Sequence, residues 1–537
     1  MKGIYIASFF FLYSLISIAQ IQPSVNWGSD YKFEKRTRIA GMLSDSLSVF
    51  VYKENTSKKQ GVPDLIIERF SQSNMNLNHR MEIFEWKMKA VSSSGVLFSD
   101  LMVIDNRLWI FFEGYIKLGR NGRLYAAEIF MEKDSVGELK LIDELDMNRG
   151  GEFTLVESYN GKSLLVLHNH PFEKYANEKF SYKVLNPSMD LIWSRELELP
   201  YKERSFKVSH HLIDQNGNVH MITALNYERN KGENNSNSFV NHSYNLLSFY
   251  PNENRLKEFE ISLGEKYISA LTFDMGPDGS LVIAGFYSNS ASYSIAGTFY
   301  LRMDPITRKV VQSNLKPFEK SFMMEFIPEK KIKKGKELSD FYFDHLIVQQ
   351  DGSAILVAEQ YYMQISYNYN DPYMYGGFYG PTYGPWGYSP YNRSNYNYQY
   401  YYNDIIIVRV SKDGEIEWAR KIPKRQMSSN DGGYYSSYAI ASNERGVYLL
   451  FNDNPRNTPA LRKSGEEPYI MTRPSKSVAV FVALSNDGQV HYAPLFAQKD
   501  VQMVLRPKLH FQSSPDHLVI FSQKGSMYKF GSITIPK

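Results

Sequence analysis

The chain has 537 residues, a formal net charge of +4 and no cysteine. A hydrophobic fraction of 43% is enough for a large core, which excludes a chain that is disordered throughout. The small net charge argues against a nucleic-acid-binding protein, because such proteins carry a concentrated basic surface. Aromatic residues make up 15% of the chain and favour β structure.

The N-terminus has the features of a secretory signal peptide, which we predict to span residues 1–19. Lys2 supplies the positive charge, and Ile4–Ile16 is an apolar run that is short for a membrane span. The small residues of Ser17–Ala19 predict cleavage before Gln20, with an uncleaved anchor helix as the alternative. Without cysteine there is neither a lipidation site nor a disulfide, so we expect a bacterial envelope protein: periplasmic, on the outer-membrane surface, or extracellular.

After the signal, segments of alternating apolar residues follow one another in pairs that read as β-hairpins. Two successive hairpins form one four-stranded unit, and the turn of the first hairpin often carries a glycine. An aromatic residue recurs on the last strand of a unit, as Trp193 and Trp418. In chain order, the opening hairpins are Arg36–Lys53, Leu97–Lys117, Phe153–His170, Val208–Leu225, Ile268–Tyr287, Phe343–Tyr362, Tyr438–Phe451 and Leu509–Gln523.

Recurrence of such units about every 50 to 90 residues is typical of an all-β propeller of four-stranded antiparallel blades. We predict about eight blades, with seven as the alternative, in a single domain over residues 20–537. The last unit has only three strands, and an open sheet edge invites aggregation. The ring is therefore predicted to close through an N-terminal strand near Val25–Lys32. No helical pattern of useful length argues for a parallel βαβ arrangement.

The sixth unit is the most regular, with Asp-Gly turns at Asp351-Gly352 and Asp413-Gly414. Its segment Ile405–Arg420, IIIVRVSKDGEIEWAR, is similar to the blade repeat of bacterial secreted β-propellers. That resemblance implies a fold and not an activity.

Four long connections fall between the second and third strands of a unit or between units, which predicts that they emerge on one face of the ring. They are Glu228–His242, Glu319–Ser339, Tyr361–Tyr402 and Asn452–Ser477.

The insertion at 361–402 is rich in Tyr, Asn, Gly and Pro and has almost no charge. Tyrosine combines an apolar ring with a polar tip, which suits a recognition surface, although a flexible spacer has the same composition. The candidate partner-binding residues of the insertion are Tyr375, Tyr379, Tyr383, Trp386, Tyr388, Tyr391 and Arg393.

A lysine-rich run in another of the long connections supplies three more candidates, Lys331, Lys333 and Lys334. Such a run is normally a solvated loop, and the alternative is attraction to anionic lipid or acidic polysaccharide.

No nucleophile elbow, phosphate loop or dinucleotide fingerprint occurs, so we predict no catalytic residue and no cofactor. Five histidines on neighbouring strands invite comparison with a zinc site but lack a carboxylate ligand at a suitable spacing, so no metal is predicted. The sequence favours a binding or scaffold propeller that engages a protein or glycan of the envelope. The alternatives are a polysaccharide-active enzyme with its site at the channel mouth, peripheral contact with the outer membrane, and self-association through the Tyr-rich loop.

Overall fold

The computed structural model describes most of the chain after the predicted signal peptide. The described residues are 23–45, 47–56, 63–84, 96–115, 121–146, 152–170, 175–226, 242–253, 256–290, 292–304, 307–367, 396–458, 461 and 466–536.

Eight antiparallel sheets follow one another along the chain and form an eight-bladed β-propeller. The short strands β1 (Val25–Trp27) and β2 (Tyr31–Lys32) precede the first blade. Blade 1 contains β3 (Thr37–Ser44), β4 (Ser48–Asn55), β5 (Leu65–Ser71) and β6 (Leu77–Ile83). Blade 2 contains β7 (Val96–Ile104), β8 (Arg107–Tyr115), β9 (Asn121–Phe130), β10 (Ser135–Val136) and β11 (Lys140–Asp146). Blade 3 contains β12 (Glu152–Glu157), β13 (Leu164–Asn169), β14 (Asn177–Leu185) and β15 (Leu191–Lys202), and blade 4 contains β16 (Phe206–Ile213), β17 (Val219–Asn226), β18 (His242–Phe249) and β19 (Lys257–Ile261).

The second half of the ring repeats the same meander with a longer hairpin in blade 6. Blade 5 contains β20 (Tyr267–Met275), β21 (Leu281–Ser288), β22 (Gly297–Met303) and β23 (Val310–Pro317). Blade 6 contains β24 (Phe341–Val348), β25 (Ala354–Tyr367), β26 (Tyr396–Val410), β27 (Ile416–Ile422) and β28 (Gln426–Ser429). Blade 7 contains β29 (Ala439–Asn443), β30 (Gly446–Asp453), β31 (Val478–Ser485) and β32 (Val490–Ala497), and blade 8 contains β33 (Val504–Ser514), β34 (His517–Lys524) and β35 (Met527–Thr534).

Helices are few and short in the part of the chain that the structure describes. The α-helices are α1 (Lys320–Met324), α2 (Glu329–Ile332) and α3 (Gln498–Val501), and the 3-10 turns are Met131–Lys133, Glu203–Ser205, Pro455–Asn457 and Pro474–Lys476. Among these helices, none has the length and apolar character needed to cross a membrane. The lysine-rich run, expected as a plain loop, contains α2, and apolar residues of the same connection pack between blades 5 and 6.

The ring closes through the N-terminal strand, as the sequence predicts. Strand β1 pairs antiparallel with β35, so that Val25 lies opposite Ile533 and Trp27 opposite Gly531. A Cβ at Gly531 would lie 2.6 Å from a methyl carbon of Val25 and 2.9 Å from the Trp27 ring, so only glycine fits there. The count of eight blades is confirmed, and the alternative of seven is wrong.

The hydrophobic core is divided among the interfaces between neighbouring blades. Eight clusters of buried apolar residues occur in the described chain, and each joins strands of two adjacent blades. In the cluster that closes the ring, Val49 and Phe70 of blade 1 pack with Val519 and Phe530 of blade 8. Each blade therefore depends on its neighbours to bury its apolar faces.

The recurring tryptophans lie on outermost strands and reach the next blade. The indole N–H of Trp193 donates to the carbonyl of Gly217 at 3.0 Å, and that of Trp418 donates to the carbonyl of Asn486 at 2.8 Å. The aromatic repeat seen in the sequence thus marks an interblade contact, made at a turn of the following sheet.

A buried ion cluster supports the closing seam. The Lys53 ammonium lies 2.9 Å from a Glu34 carboxylate oxygen, 2.6 Å from one of Glu68 and 3.3 Å from the Tyr528 hydroxyl. Tyr528 belongs to the last strand of the chain and Glu34 to the segment just after β2, so these contacts join the two ends of the described chain.

Candidate functional site

The first strands of neighbouring blades lie side by side, as β20 and β24 do and as β29 and β33 do, so these inner strands surround the central channel. In each meander the second and fourth strands run in the same direction. Connections that follow them therefore leave on one side of the ring, which we call the long-loop face. Strand β24 begins at this face, β25 ends there, and β33 begins there.

Five of the inner strands carry a β-bulge shortly after they begin, where one extra residue is inserted opposite the second strand. A bulge breaks the strict alternation of side chains and turns consecutive residues toward the same side. The extra residue is small in four blades and a carboxylate in blade 6. In chain order these residues are Ala40, Ser99, Ser209, Ser269 and Asp344.

A cavity of about 410 Å³ opens between the inner strands of blades 6, 7 and 8 at the long-loop face. We call it the channel-mouth cavity. The bulge in β24 brings both Asp344 and His345 into its wall, although the two residues are consecutive. The cavity is lined by Tyr342, Asp344, His345, Glu359, Tyr361, Tyr402, Ser437, Tyr438, Lys508 and His510.

A buried ion pair forms the base of the cavity. Lys424 is completely buried, and its ammonium donates to Glu359 at 2.7 Å, to the Tyr402 carbonyl at 3.0 Å and to the Gln426 side-chain oxygen at 3.1 Å. The second carboxylate oxygen of Glu359 accepts from the Ser437 hydroxyl at 2.7 Å. Both groups of the pair are therefore satisfied by protein partners, as buried charges must be.

Asp344 lies beside this pair and keeps capacity for a ligand. Its carboxylate accepts one hydrogen bond, from the Tyr438 hydroxyl at 2.8 Å. The side chain is open to water in the channel, but protein surrounds it at longer range. Burial and the nearby charge of Glu359 raise the pKa of Asp344 to about 7. Near neutral pH, the carboxyl therefore changes between hydrogen-bond donor and charged acceptor.

The two histidines of the cavity differ in what they have left to offer. The His510 ring lies 2.7 Å from the Pro507 carbonyl and 3.3 Å from the backbone N–H of Ile440, so Nδ1 donates and Nε2 accepts. His345 makes no hydrogen bond within the described residues, and burial lowers its pKa to about 4. His345 is thus a neutral imidazole that can donate to or accept from a ligand.

Lys508 is the cation of the cavity wall. Its ammonium donates to the Tyr402 hydroxyl at 2.6 Å and lies 4.2 Å from the centre of that ring. No described carboxylate lies within ion-pair distance of it. Burial lowers the pKa of Lys508, and the more distant charges of Glu359, Asp344 and Asp431 oppose that shift.

Tyrosine rings form the rim of the cavity. Tyr342 is 58% exposed and meets Tyr361 edge to face, with ring centres 5.7 Å apart. Above them the hairpin of β25 and β26 continues out of the blade, and Tyr362 stacks on Tyr401 with ring centres 4.6 Å apart. Part of the insertion predicted at 361–402 is therefore paired strand, and this strand leads directly from the cavity wall.

The residues predicted from the sequence as partner-binding are not those that form the cavity. Lys331, Lys333 and Lys334 are exposed at α2 and just after it, and Lys333 pairs with Glu329 at 3.0 Å; none of the three lines the cavity. The remaining candidates lie outside the described residues, as does the predicted signal peptide: Tyr375, Tyr379, Tyr383, Trp386, Tyr388, Tyr391 and Arg393.

Sequence reasoning missed the cavity residues Asp344, His345, Tyr438 and Lys508. No motif marks them, because they come from the inner strands β24 and β33 and from the residue just before β29, and are brought together by the closure of the ring. One signal was available. An alignment of five inner strands places Asp344 where four other blades have alanine or serine.

Two of the five histidines weighed for zinc lie beside an acidic side chain. His168 lies 3.4 Å from Asp143, and His220 lies 3.7 Å from Asp214. The described part of the chain contains no group of three or more metal-ligating side chains.

No protein-family model and no curated protein matches the chain. Several solved structures do match. The β-propeller domain of the Trilobed protease from Pyrococcus furiosus has 11% identity and a TM-score of 0.35, over 87% of this chain and 98% of that chain. An ulvan lyase, from a polysaccharide lyase family, has 10% identity and a TM-score of 0.38, over 88% and 96%. Drosophila Plexin A, solved with Semaphorin 1b, has 8% identity and a TM-score of 0.31, over 96% and 87%. Similarity at this level gives no information about what this chain binds.

Proposed function

We propose that this chain is an exported carbohydrate-binding β-propeller of a bacterial envelope, and that its binding site is the channel-mouth cavity. The observation that carries the proposal is the combination of tyrosine rings at the rim, of which Tyr342 is exposed, with unused polar groups in one cavity. A sugar ring has an apolar face of C–H groups and a rim of hydroxyls. The rings of Tyr342 and Tyr361 suit the first, and Asp344, His345 and Lys508 suit the second.

The position of the cavity supports a binding role. It opens on the long-loop face, where the hairpin of β25 and β26 rises beside it. Binding sites of rigid scaffolds are commonly formed where loops surround such a cavity. An extended glycan that enters the cavity with one residue has this raised hairpin beside it as a second contact surface.

Export is part of the proposal and has its own test. Fractionation of the native cells, followed by N-terminal sequencing of the purified protein, should find a mature chain that begins at Gln20 outside the cytoplasm. A cytoplasmic protein that still begins at Met1 would contradict export and would leave the binding site to be judged on its own.

Binding is tested on a microarray of bacterial, plant and algal oligosaccharides. We expect wild-type protein to bind a subset of them and Tyr342→Ala to lose that binding, because an exposed ring at the rim is removed. Tyr159→Ala is the matched control, since Tyr159 is 52% exposed but lies at a turn on the opposite face. Wild-type protein that binds no saccharide, or binding that Tyr342→Ala leaves unchanged, would contradict the proposal.

A second candidate is an enzyme that acts on a polysaccharide in the same cavity. It is favoured by one observation, the neighbouring pair Asp344 and His345. A carboxyl group with a pKa of about 7 and a neutral imidazole are suited to general acid–base chemistry. Chain-length analysis of a bound polysaccharide after incubation separates the candidates, since an enzyme shortens it and a binding protein leaves it intact.

A further inference from the structure

We infer that the saccharide bound in the channel-mouth cavity is anionic, and that its acidic group lies between the Lys508 ammonium and the Asp344 carboxyl. This inference rests on the proposed function and adds the chemical class of the ligand. The acidic group is a carboxylate, as in a uronic acid, or a sulfate ester, since both present oxygens that accept from the same donors.

The charges that line the cavity are only partly matched by protein partners. The negative charge of Glu359 is already matched by Lys424 at 2.7 Å and by the Ser437 hydroxyl. Lys508 has no such partner among the described carboxylates, because its ammonium donates to a neutral tyrosine hydroxyl. The wall therefore holds one cation without a matching anion, and a ligand with a negative charge would complete the pair.

Asp344 is the group of the cavity that would repel an anion. Its raised pKa means that a proton is bound below about pH 7, and the protonated carboxyl can donate a hydrogen bond to an acidic group. An arriving anion favours that protonated form further. The titratable and charged groups around Asp344 are Glu359, Lys424, Lys508, His345, His510 and the cavity tyrosines Tyr342, Tyr361, Tyr402 and Tyr438.

The bulge residue of blade 6 differs from those of four other blades. Four other inner strands place alanine or serine at the bulge, and these residues cannot carry charge. Blade 6 alone among these five places an ionisable residue there, opposite the unpaired lysine of blade 8. The ionisable bulge residue Asp344 and the lysine without an acidic partner, Lys508, thus line the same cavity.

The experiment compares matched probes by titration calorimetry. Oligogalacturonate carries carboxylates and its carboxyl-reduced form does not; sulfated carrageenan oligosaccharides are paired with their desulfated forms. We expect at least one charged probe to bind at least tenfold more tightly than its neutral form. Lys508→Met should remove that difference, whereas Lys331→Met, which changes an exposed lysine on the same face but outside the cavity, should keep it.

The pH dependence gives a second readout. Wild-type affinity for the charged probe should rise about tenfold between pH 8 and pH 6, and Asp344→Asn should bind with little change over that range. Neutral forms that bind as tightly as charged forms would overturn the inference while the proposed function stands. If the wild-type protein bound no saccharide, charged or neutral, the proposed function itself would be wrong. A reduction by Lys331→Met equal to that by Lys508→Met, or an unchanged pH profile in Asp344→Asn, would also overturn the inference.

Discussion

Two buried lysines have almost the same surroundings, although one lies at a structural seam and the other at the candidate binding site. Lys53 and Lys424 are both completely buried, and each ammonium has three acceptors that include a buried glutamate. Lys53 lies at the seam that closes the ring, with partners from both ends of the described chain. Lys424 lies at the base of the channel-mouth cavity.

The difference lies in the polar groups next to each pair. At the seam, the Tyr528 hydroxyl donates to Glu68 at 2.9 Å, and the hydrogen bond and charge of Lys53 lower the pKa of Glu34 although burial opposes them. At the cavity, Asp344, His345 and Lys508 keep capacity beyond their protein contacts. A buried ion pair is therefore weak evidence of function, and the unused polar capacity beside it is the informative feature.

Replacement of the seam lysine is expected to have the largest effect. Lys53→Met removes the cation that lies 2.6 Å from the buried Glu68 and leaves only Arg80, at 4.0 Å. This should cost about 3–5 kcal/mol of unfolding free energy. Urea denaturation measures the loss, and proteolysis should show earlier cleavage near β1. The double variant Lys53→Met with Glu68→Leu should recover most of it, and a loss below about 1 kcal/mol in Lys53→Met would show that the pair does not support closure.

Replacement of Lys424, at the base of the cavity, is expected to lower the unfolding free energy by less. In Lys424→Met, Glu359 lies beside the water of the cavity and beside an aspartate that already binds a proton near neutral pH. We expect a loss of about 2 kcal/mol and a further rise of the Asp344 pKa. Urea denaturation and a pH titration check both. A loss as large as that of Lys53→Met would mean that the two sites are equivalent structural pairs.

The Asp344→Asn variant tests whether the raised pKa of Asp344 makes the stability of the protein depend on pH. Because its pKa is raised in the folded state, Asp344 binds more protons folded than unfolded between about pH 4 and pH 7. Wild-type stability therefore falls as the pH rises through that range. We expect Asp344→Asn to be more stable than wild type by about 1 kcal/mol at pH 8, after allowance for solvent screening, and equal to it near pH 4. Thermal unfolding at both pH values measures this, and a variant that is less stable at pH 8 would contradict the raised pKa.

The smallest effect is expected for Lys508→Met. The side chain is open to the channel and has no described ion-pair partner, so unfolding free energy should change by less than about 0.5 kcal/mol. A larger destabilisation in urea would show that Lys508 is part of the scaffold, like Lys53, and not a group held for a ligand.

The fold was predictable because its signals are local. Gly352 and Gly414 adopt the positive φ values of 81° and 78° that their Asp-Gly turns require, and Trp418 marks the outer strand. The missing strand of the last unit pointed to the N-terminus. The cavity was not predictable in the same way, because the bulge at Asp344 changes which side its neighbours face. Its groups also lie far apart in sequence, as Glu359 and Lys424 do.

The most direct test of the central claim is a crystal structure of the protein soaked with the charged oligosaccharide that binds most tightly. We expect density for a sugar ring against Tyr342, with its acidic group within hydrogen-bond distance of the Lys508 ammonium and the Asp344 carboxyl. An oligosaccharide bound elsewhere on the ring, with the channel-mouth cavity holding only water, would contradict the claim.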